Sequence, residues 1–515
     1  MAVAWEHHRY LVIGAGPAGL QLGYFLTQAG ADCVVLEREQ SVGSFFRAFP
    51  RHRRLISLNK VHNVGDDPET ALRWDWNSLL NHSPELLFGQ YSQEYFPSAE
   101  DLVRYLEDFQ REHRVPVRFG AEVQRVERHA GGFRLYTGDG GYECECLVVA
   151  TGWAGPYLPD IDGIEHAVGY EEMSLAPEDY RGQRVLVIGK GNSAFETAHH
   201  LLPYAAMIHL ASPTPLRLAW NTKHPGHVRG MYGALLDSYQ FKTLHSVLDC
   251  HLDRIRPTAT GLAVQISYTH ADGERELLEY DKVLRCTGFV PDLSFFDADC
   301  RPRLSGRLPD TGTDWQSTSV DGVYFAGTLA QVRDHKRASS AFIDGFRYNL
   351  RTLTALLRER YEGVALERAT VPAEIDHLTG LILDRVNWSS ALWTQFEYLC
   401  DALVVDPDAG VVHHYQDLPE DYAVERFAGS DHCYTVGLRW GREDYRDVFA
   451  IERHPVPERA AESAFIHPVV RRYRRGRRLA EVHLLEDLLA QWRRPDRHVA
   501  PLRVFLATHL ADLGH

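Results

Sequence analysis

Two glycine clusters are the residues of this chain whose spacing commits them to chemistry. The first is Gly14-Ala15-Gly16-Pro17-Ala18-Gly19, after the apolar run Tyr10-Leu11-Val12-Ile13. The second is Gly189-Lys190-Gly191-Asn192-Ser193-Ala194, after Val185-Leu186-Val187-Ile188. Set between a strand and a helix, such a cluster is a seat for a pyrophosphate. Its first glycine makes the tight turn and its second lets the backbone approach the phosphates. The third position lets the helix lie against the strand, and the helix N-terminus supplies free N–H groups. Glu37 ends the strand after the first cluster, where a carboxylate binds the adenosine ribose hydroxyls. One cluster implies one dinucleotide. Two of them, most of a domain apart, imply that two dinucleotides meet, as they do where a hydride passes from NAD(P)H to bound FAD.

FAD is the expected occupant of the first seat. Arg38, Ser44 and Phe45 follow Glu37 as candidate contacts, and Val123 in a short strand is placed to flank the adenine. Leu147 to Gly152 reads as a strand ending at the cofactor with Thr151 and Gly152, and Phe325-Ala326-Gly327 as another. Gly288 and Phe342 complete that set. On the other side the candidates are Gly189, Gly191, Asn192, Ser193 and Arg217. No carboxylate ends the strand after the second cluster, which reads His209-Leu210-Ala211-Ser212. With Arg217 and Lys223 close by, this favours a 2′-phosphate and so NADPH. Pairing of Arg217 with an acidic neighbour stays open as the alternative. A disulfide reductase would need a Cys pair beside the flavin, and the segment after Gly43 has no cysteine.

The elements that must position these residues give an α/β fold: two Rossmann-like dinucleotide-binding domains, for FAD and NADPH, plus a mainly helical C-terminal region. The expected boundaries are 1–165 with 280–362 for FAD, 166–279 for the coenzyme with an insertion, and 363–515 for the remainder. A helix is expected from Ala18 to Ala29, and a second from Pro97 to His113 with Ser98 as its N-cap. Strand-like runs lie near 117–127 and 133–150. The βαβ pattern restarts at 184–188, 192–202 and 207–211. Leu216 to Cys250 reads as an irregular, substrate-side insertion. Strands resume near 262–269 and 280–286, and 341–360 reads as a long helix. The tail has no nucleotide fingerprint, and it is expected to pack on the flavin domains or on a second copy of the chain in a homodimer.

Length and composition set the limits. At 515 residues more than one domain is expected. A formal net charge of −15 argues against a nucleic-acid partner. The Arg471–Arg478 stretch is the exception, either a patch for an anionic partner or arginines that are solvated or paired with acids. No uninterrupted apolar run is long enough for a membrane span, and no leader precedes the first strand. The eight cysteines are scattered and suit a reducing, cytoplasmic location. Cys144 and Cys146 share one face of a strand, a spacing that does not favour a bond between them. Trp220, His224, His227, Tyr232, Tyr239 and Trp388 are candidate pocket residues or plain packing residues.

Several segments resemble the flavin-containing monooxygenases, the class that includes N-hydroxylases and Baeyer–Villiger enzymes. Leu58-Asn59-Lys60 is similar to the segment that sets an Asn beside the flavin C4a, and Phe96-Pro97-Ser98 to its helix-opening motif. Val149-Ala150-Thr151-Gly152 and Cys286-Thr287-Gly288-Phe289 resemble its two Thr-Gly strand ends. One departure is Met173, which stands where the class carries a His. A resemblance over nearly the whole chain is to the family of FAD-dependent oxidoreductase domain-containing protein 2, flavoproteins associated with endoplasmic-reticulum degradation. It is carried by Ala194-Phe195-Glu196-Thr197, Leu216-Arg217-Leu218-Ala219-Trp220, Phe342-Ile343-Asp344-Gly345-Phe346 and Phe465-Ile466-His467-Pro468-Val469. The chain ends Leu513-Gly514-His515 without a retention signal and reads as a soluble bacterial relative to which the degradation role does not carry over.

The resemblance implies an NADPH-reduced FAD whose hydroperoxide oxygenates a small-molecule substrate with O2. Asn59 is the candidate catalytic residue, hydrogen-bonding the peroxide, with a turn-capping role as its alternative. N-hydroxylation of an amine is the expected reaction. The runner-up is an FAD-dependent oxidoreductase passing electrons from NAD(P)H to a quinone, disulfide or protein acceptor.

Overall fold

Strand β1 (Trp5–Ile13) turns at Gly14 into helix α1 (Pro17–Gln28), and the chain returns as β2 (Cys33–Glu37). Tyr10 to Ile13 and all of β2 are buried, as central parallel strands covered on both faces must be. The computed structural model describes residues 5–510 apart from 64–66, 84, 139, 220–226, 241, 442–446 and 448–449. Trp220, Lys223 and His224 therefore lie outside the described residues. Short helices α2 (Ser44–Ala48) and α3 (Pro68–Ala71) precede α4 (Ala99–His113). Ser98 caps α4: its Oγ accepts from the Asp101 N–H at 3.1 Å, and Glu100 and Asp101 suit the positive end of the helix.

Strands β3 (Val117–Phe119), β4 (Val123–His129), β5 (Gly132–Thr137) and β6 (Gly141–Val149) complete a sheet of order β3-β2-β1-β6-β5-β4. Each run expected as one strand, at 117–127 and at 133–150, breaks in two. The second folds back between β5 and β6, where the Thr137 N–H donates to Gly140 O at 3.0 Å.

The chain leaves this sheet through β7 (Gly155–Pro156). It then forms β8 (Val168–Gly169), β9 (Arg184–Ile188), α5 (Asn192–Leu201), β10 (Met207–Ser212), α6 (Ala234–Asp237) and β11 (Ser246–Pro257). Strands β12 (Leu262–Tyr268), β13 (Arg275–Tyr280) and β14 (Lys282–Arg285) follow. The second sheet has the order β13-β12-β11-β10-β9-β14-β8. Ser246 lies opposite His209 in the parallel β10–β11 pair, so the irregular insertion ends before Ser246 and Cys250 is a strand residue. The chain returns as β15 (Phe289–Val290), antiparallel to β7, with Val290 opposite Gly155. Outgoing and returning segments thus form one two-stranded ribbon. After the pair β16 (Leu304–Ser305) and β17 (Leu308–Pro309), β18 (Val323–Phe325) joins the first sheet beside β6, and α7 (Ile343–Glu362) packs on α1.

The C-terminal region is not mainly helical. It holds β19 (Ala369–Pro372), α8 (Ile375–Trp388), α9 (Ser390–Thr394), β20 (Leu399–Asp406), β21 (Val411–Pro419) and α10 (Glu420–Arg426). These are followed by β22 (Cys433–Arg439), β23 (His467–Arg474), β24 (Arg477–His483) and α11 (Ala500–Leu510). The six strands form an antiparallel sheet of order β19-β21-β20-β22-β23-β24. Residues of α8 and α11 pack with it in a core that includes Ile382, Val386, Leu403, Val436, Leu502 and Leu506. The arginine-rich stretch is the β23–β24 hairpin, and Arg471, Arg474, Arg475 and Arg478 are paired with acids. Arg471 meets Glu420 and Glu481, each at 3.0 Å, and Arg475 meets Asp431 at 2.9 Å. Among the described residues, no helix is long and apolar enough to cross a membrane.

This region is tied to the flavin half through buried polar groups. Gln395, fully buried, accepts from the Ser339 N–H at 3.0 Å and donates to Ser340 Oγ at 2.9 Å and Asn349 Oδ1 at 2.7 Å. Glu69 accepts from the Ser390 N–H and hydroxyl, and Arg73 donates to Val386 O. Gln395→Ala leaves several of these groups unpaired and is expected to cost about 1–3 kcal/mol. A lowered urea midpoint reads this directly, and an unchanged midpoint refutes it.

Candidate functional site

The first glycine cluster is built as its spacing requires. Gly14 has φ +103°, and a Cβ there would meet Ala150 O at 2.8 Å. A Cβ on Gly19 would stand 1.8 Å from Gly14 O, so α1 can rest on the turn only because no side chain intervenes. A Cβ on Gly16 would meet nothing within 4 Å. Gly16 borders a cavity of about 370 Å³ that is also lined by Gly14, Pro17, Ala18, Glu37, Ser44 and Phe45. Thr151, Gly152, Gly327 and Phe342 line it further along, and Asn192 and Ser193 of the second cluster close the far side. The structure thus brings both fingerprints to one cavity.

The first seat fits FAD. Glu37 is buried, with Oε2 accepting from the Ala15 N–H at 2.7 Å and Oε1 from the Glu39 N–H at 3.1 Å and Ser44 Oγ at 3.3 Å. Its carboxylate is therefore fixed beside the glycine turn. Thr151 Oγ1 is a buried hydroxyl of the cavity wall with no partner among the described residues, and the space in front of Gly16 is what a pyrophosphate needs.

Other expected contacts are not in the lining. Gly19 serves helix packing. Arg38 is exposed and sits 3.5 Å from Glu39, and Val123 begins β4 away from the cavity. Gly288 lies at the ribbon, where its carbonyl accepts from the Tyr157 N–H at 2.8 Å. Asn59 is a correction. It is buried and does not line the cavity, and its amide donates to Ser92 O at 2.7 Å and Glu94 O at 3.2 Å. Both amide hydrogens are thereby committed to holding the 92–95 loop, which is the turn-fixing role.

In the second cluster Gly189 has φ +125°, and a Cβ would meet Cys286 O at 2.3 Å. Gly191 precedes α5, and a Cβ there would meet nothing within 4 Å, leaving its helix N-terminus open to a phosphate. Arg217 is exposed in the segment after β10. A carboxylate does stand near the end of β10, from the neighbouring strand. Asp249 is opposite Ser212 in the β10–β11 register and is paired with Lys190, whose Nζ also donates to Ser212 O at 3.0 Å and Thr214 O at 3.1 Å. Lys190 thus neutralises an acid placed to disfavour a 2′-phosphate.

Sequence reasoning missed the aromatic wall and a buried acid. Phe45, Phe49, Tyr170 and Phe289 form a ring cluster with centroids 5.0–6.5 Å apart, drawn from the α2 segment, the coenzyme half and the ribbon. Trp76 and Trp153 also line the cavity, whereas His227, Tyr232, Tyr239 and Trp388 do not. Met173 is packed in the core and accepts weakly from Thr197 Oγ1. Glu196, in α5, lines the cavity. Its Oε2 accepts from Tyr170 OH at 2.9 Å, while Oε1 is buried without a partner among the described residues. Burial pushes its carboxyl up to about 7, against the opposing pull of the Tyr170 hydrogen bond. The available signal was its place one turn into the helix after the second fingerprint. All eight cysteines are buried and free, and none lines the cavity. Burial raises Cys144 and Cys146 well out of the reactive range.

Gly16→Val should abolish flavin binding while leaving secondary structure intact, because its side chain fills the open space rather than striking the protein. A yellow Gly16→Val protein would refute this. Glu196→Gln tests the buried acid. The folded pKa, about 7, lies above the ordinary 4.5, so protonation favours the fold. Wild-type stability relative to Glu196→Gln should therefore fall as pH rises from about 4.5 to about 7, by up to about 3 kcal/mol, and stay level above. Denaturation at a series of pH values measures this, and a constant difference overturns it.

Comparison with known proteins agrees with this geometry. The model of the pyridine nucleotide-disulphide oxidoreductase family matches residues 11–327. FAD-dependent oxidoreductase domain-containing protein 2 of Mus musculus is 35% identical over 98% of this chain and 84% of its own. A probable indole-3-pyruvate monooxygenase of Arabidopsis thaliana is 32% identical over 39% of this chain and 46% of its own. A flavin-containing monooxygenase structure from Stenotrophomonas maltophilia superposes with a TM-score of 0.52, at 22% identity, over 69% of this chain and 99% of that one. With both nucleotide seats opening on one cavity, the chain belongs to the pyridine nucleotide-disulphide oxidoreductase family and is a flavin-dependent oxidoreductase that binds FAD and NAD(P)H.

Proposed function

We propose that the protein is an FAD- and NADPH-dependent monooxygenase acting on a nucleophilic nitrogen of a small amine. One observation carries the reading: both fingerprints border a single cavity walled by aromatic rings, with no thiol in its lining. Bound FAD supplies the hydride acceptor and the activation of O2. The balance is NADPH, a proton, O2 and the amine in; NADP+, water and the hydroxylamine out. Glu37 and the Gly16 backbone hold the dinucleotide, and the ring cluster excludes water. Glu196 offers an unpartnered oxygen to a substrate N–H and can take its proton near neutral pH. Transfer to a disulfide is disfavoured by the thiol-free lining. We assign residues 1–154 and 291–362 to the FAD domain and 155–290 to the coenzyme domain, wider than the expected 166–279 because β14 belongs to the second sheet.

NADPH is the proposed coenzyme because Lys190 neutralises Asp249 and Arg217 is exposed beyond the strand end. Arg217→Ala should reduce the NADPH-over-NADH ratio of kcat/KM by roughly tenfold to a hundredfold, about 1–3 kcal/mol. Equal use of both coenzymes by the wild type refutes it. For the reaction itself, amine-dependent turnover should consume one O2 per NADPH and yield hydroxylamine. Turnover only with an added quinone or disulfide overturns the monooxygenase assignment.

A further inference from the structure

Tyr170 carries the hydroxyl of the ring cluster, and that hydroxyl is shared between the two halves of the molecule. Tyr170 follows β8 on the coenzyme side, where its backbone N–H donates to Arg285 O at 3.0 Å. Its hydroxyl accepts from the Arg51 N–H, on the flavin side, at 2.8 Å. Arg51 makes a second tie to the coenzyme half, its Nη2 donating to Met173 O at 2.9 Å. The Phe49 ring lies over Tyr170 with the planes 18° apart and the centroids 6.0 Å apart. The Tyr170 hydroxyl in turn donates to Glu196 Oε2 at 2.9 Å, and both residues line the cavity.

The order of donors fixes what this chain of bonds can do. A backbone N–H can only donate, so it holds a lone pair of the hydroxyl and turns the O–H toward the carboxylate. A hydroxyl so turned favours the charged carboxylate over the neutral carboxyl. Burial works the other way and holds the carboxyl at about 7. Of the shifted groups around it, Cys286, just after β14, is pushed up to about 12 by burial. Burial also raises Tyr232 and Tyr170 above their ordinary range, and pulls His52, beside Arg51, down to about 4. Arg54 is the cation that acts on Tyr232, and further along α5 His199 meets Tyr232 and His200 meets His52.

We infer that Tyr170 is a positioning residue for Glu196, and that its hydroxyl makes the carboxylate answer to the docking of the two halves. With the halves docked, the Arg51 N–H holds the hydroxyl on Glu196 and the charged carboxylate is supported. With the halves apart, the hydroxyl loses that donor and its fixed direction. The readiness of Glu196 to take a proton from an amine is thereby set by the closed arrangement. This rests on the monooxygenase reading only for the use of that proton, because the coupling is measured on stability. A packing role for Tyr170 is the alternative, and Tyr170→Phe separates the two by removing one oxygen and leaving the ring in the wall.

The test is urea denaturation of the FAD-loaded protein from about pH 5 to about pH 9, for the wild type, Tyr170→Phe, Glu196→Gln and the double variant. The folded pKa of Glu196, about 7, lies above the ordinary 4.5, and Tyr170→Phe should raise it by about one further pH unit. The urea midpoints of wild type and Tyr170→Phe should therefore differ by a constant amount below about pH 6 and diverge as pH rises past about 7. In the Glu196→Gln background the same substitution should have an effect independent of pH. Fluorotyrosine installed at position 170 keeps ring and hydroxyl but donates more strongly, so it should move the Glu196 titration down. It serves if the phenylalanine variant does not fold. Phe49→Ala, which loosens the segment carrying Arg51, should move that titration up. A pH-independent effect in both backgrounds, or the same divergence without Glu196, reduces Tyr170 to packing and overturns the inference. An unmoved titration in Phe49→Ala overturns the coupling to docking. If the pH pattern holds but amine turnover shows no matching pH limb, only the use of Glu196 in the monooxygenase reading falls.

Discussion

The architecture depends on a contact that tolerates nothing larger than a hydrogen atom. At Gly19 the helix meets the carbonyl of Gly14 at a distance where a Cβ would overlap it. Because α1 can sit on the turn, its N-terminus faces the cavity, and β1 and β2 end together. Glu37 then reaches back to the Ala15 N–H. Remove that closeness and the ribose carboxylate, the phosphate seat and the strand ends lose their common position. The second half repeats the solution with different parts, the Gly189 turn pressing on Cys286 O at the end of β14. There Ala194 takes the third position and is fully buried.

Between these seats the molecule builds a cavity walled by aromatic rings. The ring cluster recruits Phe45 and Phe49 from the flavin half, Tyr170 from the coenzyme half and Phe289 from the ribbon, so the wall exists only when the halves are together. Burial beside these rings makes charge expensive. Glu196 responds by holding its proton to about pH 7.

The fingerprints were legible because their chemistry is local. Turn, close approach and helix start are decided within six residues, and the Ser98 cap within four. The features that escaped depend on partners far away in sequence. Asn59 resembles a flavin-side residue, yet its amide is claimed by carbonyls more than thirty positions on, which no local pattern announces. The ring cluster joins residues from three separate stretches. In the C-terminal region, arginines and histidines interrupt the strands, as in His467-Pro468-Val469-Val470-Arg471-Arg472, and blur the alternation that marks a sheet. Those arginines are tolerable only because Glu420, Glu481 and Asp431 stand opposite them, and that was not readable in advance.

The ribbon of β7 and β15 has a consequence for how such a protein can change. The whole coenzyme half enters at Gly155 and leaves at Val290, two residues paired across neighbouring strands. Its two ends therefore lie about one strand spacing apart, roughly 5 Å. A segment with adjacent ends can be exchanged as a cassette without stretching the chain on either side. Recombination at that single point could trade one coenzyme half for another, and the flavin sheet would register only a change in the rings that face it.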